Sequence, residues 1–188
     1  MKDFKHLTLA LLVLFTFSKA TSQTKKIDVS KSKITWIGQK ITGKHQGTID
    51  FKYGYLLFKD NVLAGGSFVV DMTSLTNTDQ TGKSKNDLEG HLKSDDFFGV
   101  YNFKTAKLDF ITVANKGNNT YTISANLTIK GITNPVKFDL LVKNNTATAN
   151  LFIDRTKYDI KYGSGSYFSD LGDRTIYNEF ELIVMLSL

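Results

Sequence analysis

Hydrophobic and polar residues alternate with period two along most of the chain. The clearest run is Tyr121–Ile129, with Tyr121, Ile123, Ala125, Leu127 and Ile129 on one face and Thr122, Ser124, Asn126 and Thr128 on the other. A strand buried on one face has this pattern. Val136, Phe138, Leu140 and Val142 repeat it against Lys137, Asp139, Leu141 and Lys143. Phe180, Leu182, Val184, Leu186 and Leu188 repeat it at the end of the chain. Shorter runs lie at Lys33–Gln39, His45–Phe58, Gly65–Met72, Lys104–Thr112 and Ala147–Ile153. The chain therefore predicts about eight or nine strands, depending on whether Tyr53-Gly54-Tyr55 divides one run. Asn115–Asn119, Lys130–Pro135 and Lys143–Thr146 have turn composition. Two segments depart from alternation. Asn86–Phe98 carries Leu88 and Leu92 at helical spacing and predicts a short helix capped by Asn86 or Asp87, preceded by a polar loop at Gly82–Lys85. Tyr162–Asp173 predicts a long Gly/Ser-rich loop.

Helical pattern between strands is too scarce for a parallel sheet. The fold class is all-β and antiparallel, with one short helix. Closing such a sheet into a barrel removes its edges, and eight strands leave an interior that side chains fill or that holds one small ligand. Strands of nine to eleven residues, rising ~3.3 Å per residue and tilted ~40°, would build a wall roughly 25 Å high. A two-sheet sandwich with a solid core is the alternative that pattern alone leaves open.

Composition agrees and narrows the chemistry. Of 188 residues, 41% are hydrophobic and 12% aromatic, which suits strands. There is no cysteine, which excludes disulfides, thiolate nucleophiles and cysteine-ligated metals. Lys2 and Lys5 precede an apolar run at Leu7–Phe17, and small residues follow at Ser18, Ala20 and Ser22. This is the plan of a secretory signal, cleaved after Ala20 or Ser22, and its apolar run is shorter than the ~20 residues that span a bilayer. The expected organisation is a signal peptide at 1–22 and one domain at 23–188, exported to a periplasmic-type compartment or secreted. Without the first 20 residues, which hold three lysines and one aspartate, the formal charge falls from +6 to +4. The positive residues are scattered, and only Arg155 and Arg174 are arginines, so nucleic acid is not an expected partner. A mild attraction to an anionic membrane surface is compatible with this charge.

No catalytic motif is present by spacing, and no cofactor, catalytic residue or metal ligand is expected. Asp95-Asp96 with Glu89 reads as solvated or capping carboxylates, Gly163–Ser166 as a solvated loop, and Asp154-Arg155 as a structural ion pair. His45, between Gly43 and Gly47, is either a hydrogen-bonded strand residue or a polar anchor at a pocket mouth; His91 divides the same way.

Several of these segments together resemble the YceI-like family of exported polyisoprenoid- and lipid-binding proteins. They are Ile34-Thr35-Trp36 with Gly43-x-His45-x-Gly47, Gly66–Met72, Gly90–Phe98, Leu127–Val136, and Ile153-Asp154-Arg155 through Tyr162-Gly163. Gly99 and Phe103 depart from the family pattern, which has an acidic residue and a proline there. The resemblance implies an elongated lipocalin-like barrel with an apolar lumen, often dimeric, that holds a polyisoprenoid or related long-chain amphiphile without catalysis. The expected lumen residues are Trp36, Phe51, Phe68, Val70, Phe110, Leu127, Phe138, Leu140, Phe180 and Leu182, with His45 and Arg155 as headgroup contacts. The competing function is a structural or stress-related envelope module acting through the outside of the barrel.

Overall fold

The computed structural model describes residues 21–188. The expected signal segment at 1–22 lies outside the described residues, apart from Thr21 and Ser22. The strands are β1 (Ser22–Lys26), β2 (Lys33–Lys40), β3 (Gly43–Lys59), β4 (Val62–Asn77), β5 (Thr105–Gly117), β6 (Thr120–Ile129), β7 (Ile132–Lys143), β8 (Thr146–Asp154) and β9 (Ile176–Ser187), with helix α1 (Gly82–Lys93) between β4 and β5. Eight of them close in the order β3-β2-β9-β8-β7-β6-β5-β4, and β4 returns to β3. Every pairing is antiparallel. The closure settles barrel against sandwich. The ninth strand, β1, lies end to end with β2 along β3: β2 pairs with Gly43–Ile49 and β1 with Tyr55–Lys59.

Tight hairpins set the registers. Asp60-Asn61, Asn118-Asn119 and Lys130-Gly131 have positive φ at both residues, the backbone of a type I′ turn whose twist matches its strands. The expected link at Lys130–Pro135 is thus only two residues long, and Pro135 already lies in β7 opposite Asn126. It is tolerated because β7 pairs with β8 only at Leu140–Lys143. The stretch around Pro135 has a free edge, where a missing N–H costs no ladder bond. Past Ala149 the two strands part. The gap is covered by a 3-10 turn at Arg155–Tyr158, onto which Asn134 Nδ2 donates to the carbonyl of Lys157 at 2.9 Å.

The helix departs from expectation at both ends. It begins at Gly82, inside the expected polar loop, and ends at Lys93. Its first turns carry i,i+4 pairs, Lys83–Asp87 at 2.6 Å and Lys85–Glu89 at 3.6 Å, which favour helix. Neither Asn86 nor Asp87 caps it; Thr81 holds the N-cap position. Beyond Lys93 the chain turns so that Phe97 and Val100 are buried. Gly99 makes that turn with φ +53 and donates its N–H to Ser94 O at 2.8 Å.

The two ends of the barrel differ. At the floor, the hairpins at Asp60-Asn61, Asn118-Asn119 and Asn144-Asn145 close over a packed core in which Leu56, Ile123 and Ala147 are fully buried. At the mouth, α1, residues 94–104, the 3-10 turn and residues 161–175 surround the opening. The buried polar side chains among the described residues, Asn77, Arg155 and Ser164, all belong to this end.

Candidate ligand-binding site

Inside the barrel is an apolar cavity of about 350 Å³, within the range of about 300–1,000 Å³ of small-molecule sites. On β9 its lining runs from Ile176 to Leu186. Ten residues of strand tilted ~40° correspond to a depth of roughly 25 Å. The inward faces of all eight barrel strands supply the wall, because alternation turns every second residue toward the axis. Phenylalanines form a belt across it: Phe51 and Phe68 have ring centroids 6.0 Å apart, Phe68 and Phe110 5.9 Å, and Phe110 and Phe138 6.1 Å. Leu88 and Leu92 of α1, with Phe97 and Phe98 after it, form a lid. Phe98 meets Phe180 of β9 at 6.2 Å. The helix buries none of its residues completely.

Polar lining gathers at the mouth, in Gln39, Lys40, His45, Arg155, Tyr177 and Glu179. Lys107 also borders the cavity, but its ammonium lies 2.9 Å from Asp109. Trp36 donates its indole N–H to Thr76 O at 3.2 Å. The ring rests on Gly47, where a Cβ would stand 1.8 Å from Thr76 O and 2.6 Å from the indole. Only glycine allows that approach. His45 Nδ1 lies 2.9 Å from Asp79 Oδ2. An ionised carboxylate only accepts, so Nδ1 carries the proton. Asp79 also accepts from Gln46 N at 3.1 Å and from Asn77 Nδ2. Burial works to raise Asp79, but the hydrogen bonds from His45, Gln46 and Asn77 outweigh it and hold the carboxyl below its ordinary range. Glu89 of α1 accepts from Thr76 Oγ1 at 2.6 Å and Asn77 N at 2.7 Å, which docks the lid onto β4. The Thr76 hydroxyl is the main cause that lowers Glu89.

The YceI-like domain family matches residues 26–188. The chain belongs to the YceI-like family. A UPF0312 protein of Shewanella denitrificans is 37% identical over 60 residues, 32% of this chain and 31% of that protein, so the match spans about a third of the relative. Among solved structures, BcnA of Burkholderia cenocepacia matches with a TM-score of 0.71 at 20% identity, covering 86% of this chain and 99% of that one. A polyisoprenoid binding domain from Saccharophagus degradans, implicated in plant cell wall breakdown, matches with a TM-score of 0.57 at 13% identity, covering 86% and 97%. At these identities the likeness establishes the fold. Barrel and family together make this a site for a hydrophobic ligand.

This YceI-like barrel brings all twelve expected residues, Trp36, His45, Phe51, Phe68, Val70, Phe110, Leu127, Phe138, Leu140, Arg155, Phe180 and Leu182, to the wall of one cavity. The reading missed Leu75, Leu88, Leu92, Phe97, Phe98 and Leu151, which share that wall. Leu151 was available from alternation, whereas the lid residues have no strand period to mark them. His45 is hydrogen-bonded to Asp79 and stands at the mouth, so its two readings do not exclude each other. His91 instead packs edge-on against Phe97 at 4.9 Å and Tyr162 at 4.5 Å. The two departures lie together, because a Cβ added at Gly99 would stand 3.3 Å from the Phe103 ring, as would one at Gly131.

The expected Asp154–Arg155 contact fails. Asp154 and Arg155 do not form an ion pair. Asp154 accepts from Thr156 N at 2.9 Å and Thr156 Oγ1 at 2.6 Å, capping the 3-10 turn. Arg155 donates to three carbonyls instead: Tyr177 at 3.1 Å, Ile160 at 2.8 Å and Ile176 at 3.0 Å. Gly163–Ser166 is also not simply a solvated loop, because Ser164 is buried and donates to Asn178 Oδ1 at 2.7 Å. Among the described residues no three His, Asp or Glu side chains are grouped to hold a metal ion.

Proposed function

We propose that the protein is an exported, non-catalytic carrier or store for a polyisoprenoid or similar long-chain amphiphile in the cell envelope. One observation carries this reading: the lumen is apolar to its floor and, apart from Lys107, which is paired with Asp109, its polar lining gathers at its mouth. A chain enters tail first, and its head stays among the polar groups. Each buried CH₂ contributes ~0.8 kcal/mol. Ten of them give roughly 8 kcal/mol before association costs of several kcal/mol. Long chains bind without any charged contact, and short ones do not. The polyisoprenoid-binding description of the Saccharophagus relative supports the class of cargo. Titration of delipidated protein with one head on tails of increasing length tests it. Affinity should rise with length until the lumen is full, then level off; a flat dependence overturns the reading.

Export follows from the segment at 1–22, and the intact mass of the protein from a fractionated envelope checks the cleavage. Contact with an anionic membrane suits the mouth, where Tyr101 is 86% exposed and Tyr162, Tyr167 and Phe168 are exposed as well. Tyrosine rings of this kind favour the bilayer interface. Outside the barrel, Phe152, 63% exposed, pairs with Glu181 and lies diagonal to the exposed Ile183, with the exposed Met185 one pair further along β9. This patch suits a homodimer, and sedimentation of the wild type against Phe152→Lys tests it.

A further inference from the structure

We propose that the cargo carries a negatively charged head, a carboxylate or a phosphate, and that Arg155 holds it beneath the lid. This rests on the reading that the lumen takes a long-chain amphiphile, and it adds the class of head. Arg155 is 4% exposed, yet it lines the cavity. Its guanidinium has five N–H donors. Three reach the carbonyls of Tyr177, Ile160 and Ile176, which leaves two without an acceptor among the described residues. Among the described residues, none of the ion pairs involves Arg155. Its neighbour Asp154 is committed to Thr156. The Phe97 ring stacks 5.8 Å from the guanidinium and closes one side of it to water.

A guanidinium does not give up its proton in a protein, so this charge persists inside the barrel. Burial pulls it below its ordinary value, and only the field of Asp154 opposes that. A buried charge with no carboxylate bonded to it is costly, and an anionic ligand relieves that cost. The three carbonyls hold the guanidinium in place and leave one free N–H on each Nη, and charge-assisted bonds from such donors to a carboxylate or phosphate oxygen are among the stronger hydrogen bonds. Glu179 also borders this mouth, but as an exposed residue on β9 its charge is screened by water. The position suits a head and not a free ion, because the apolar lumen begins directly below, at Ile176 and Phe180.

The test uses delipidated protein and a matched set of hexadecyl ligands ending in carboxylate, phosphate, alcohol or trimethylammonium, with affinities measured by calorimetry at neutral pH. The two anions should bind about tenfold or more tightly than the alcohol, and the cation should bind most weakly. Arg155→Gln should bring the anion-to-alcohol ratio close to one. That ratio is insensitive to a reduced folded fraction; the wild-type series decides the class of head, and Lys40→Gln, at the same mouth, should leave the ratio unchanged where Arg155→Gln abolishes it. Equal affinity of wild type for acid and alcohol overturns the proposal. Inorganic phosphate binding as tightly as hexadecyl phosphate overturns it too, since the site would then be for a free anion. If the alcohol binds with the expected length dependence but anions gain nothing, only the head assignment falls. If no hexadecyl ligand binds at all, the carrier reading falls with it.

Discussion

The floor and the mouth of this barrel are closed by different physics. At the floor, Leu56, Ile123 and Ala147 are fully buried, with Leu63, Tyr121 and Leu186 nearly so. The aliphatic side chains that fill it have no polar atoms to satisfy. At the mouth the closing groups are polar. Glu89 ties the lid to Thr76 and Asn77, Asp79 ties His45 to Gln46 and Asn77, and Arg155 gathers three carbonyls. Close-packed apolar interiors are stiff. A hydrogen-bonded rim over a helix without fully buried residues opens at lower cost. The contrast assigns stability to one end and access to the other.

The largest effect is expected at the floor. Leu56→Ala removes a fully buried side chain and should cost about 2–5 kcal/mol, lowering Tm by roughly 5–15 °C. The order of affinities along a tail-length series should persist at temperatures where the variant stays folded. A variant with wild-type Tm, or with the length dependence abolished, shows that the lumen reaches Leu56 and that the floor is not a separate body.

Next comes the wall below the mouth. At Gly47 the obstructing atom is a backbone carbonyl, Thr76 O, which a rotamer change cannot clear. Gly47→Ala should destabilise by about 1–3 kcal/mol and separate the indole of Trp36 from that carbonyl. Urea unfolding followed by Trp36 emission reads both. Unchanged stability together with unchanged emission contradicts the close approach.

The contrast between the two ends also explains what the amino-acid pattern reveals. A wall buried on one face writes itself as alternation, so Phe68, Phe110, Leu127 and Phe138 were legible one by one. The strand Ser22–Lys26 was not, because Ser-Gln-Thr-Lys-Lys has no apolar position and owes its form to backbone pairing with β3. The helix limits were missed because its first turns are held by charge pairs, and its end is set by the burial of Phe97 and Val100. The mouth was least legible. Asn77, Asp79 and Glu89 meet only after β4 and α1 have docked, and the partners of Arg155 are carbonyls, which leave no trace in side-chain identity.

A smaller effect is expected from acid. Asp79 and Glu89 both lie below their ordinary values of 3.8 and 4.5. Each therefore stabilises the mouth fully above those values, and the contribution is lost as pH falls through the lower folded ones. Ligand release should accelerate below about pH 4 while the far-UV signal of the sheet is retained. Glu89→Gln should reproduce part of that acceleration at neutral pH. A release rate constant from pH 6 to pH 3 means that the lid is not held by these carboxylates.

The smallest effect concerns the only tryptophan. Trp36 lines the cavity, but its N–H is bound to Thr76 O and its ring is pressed onto Gly47. Two sides of the indole are thus fixed by protein, and only the side toward the lumen senses what fills it. Water replacing an apolar tail there makes the surroundings of the ring more polar, so delipidation should shift its emission slightly to the red. A long-chain isoprenoid should reverse the shift, and a short alcohol with the same head should not. The shift should also be smaller than the one Gly47→Ala produces, because that variant frees the ring itself. Emission that stays constant while mass spectrometry confirms ligand loss removes Trp36 from the residues touching cargo and moves the upper limit of the occupied lumen down to Phe51, leaving the difference between floor and mouth intact.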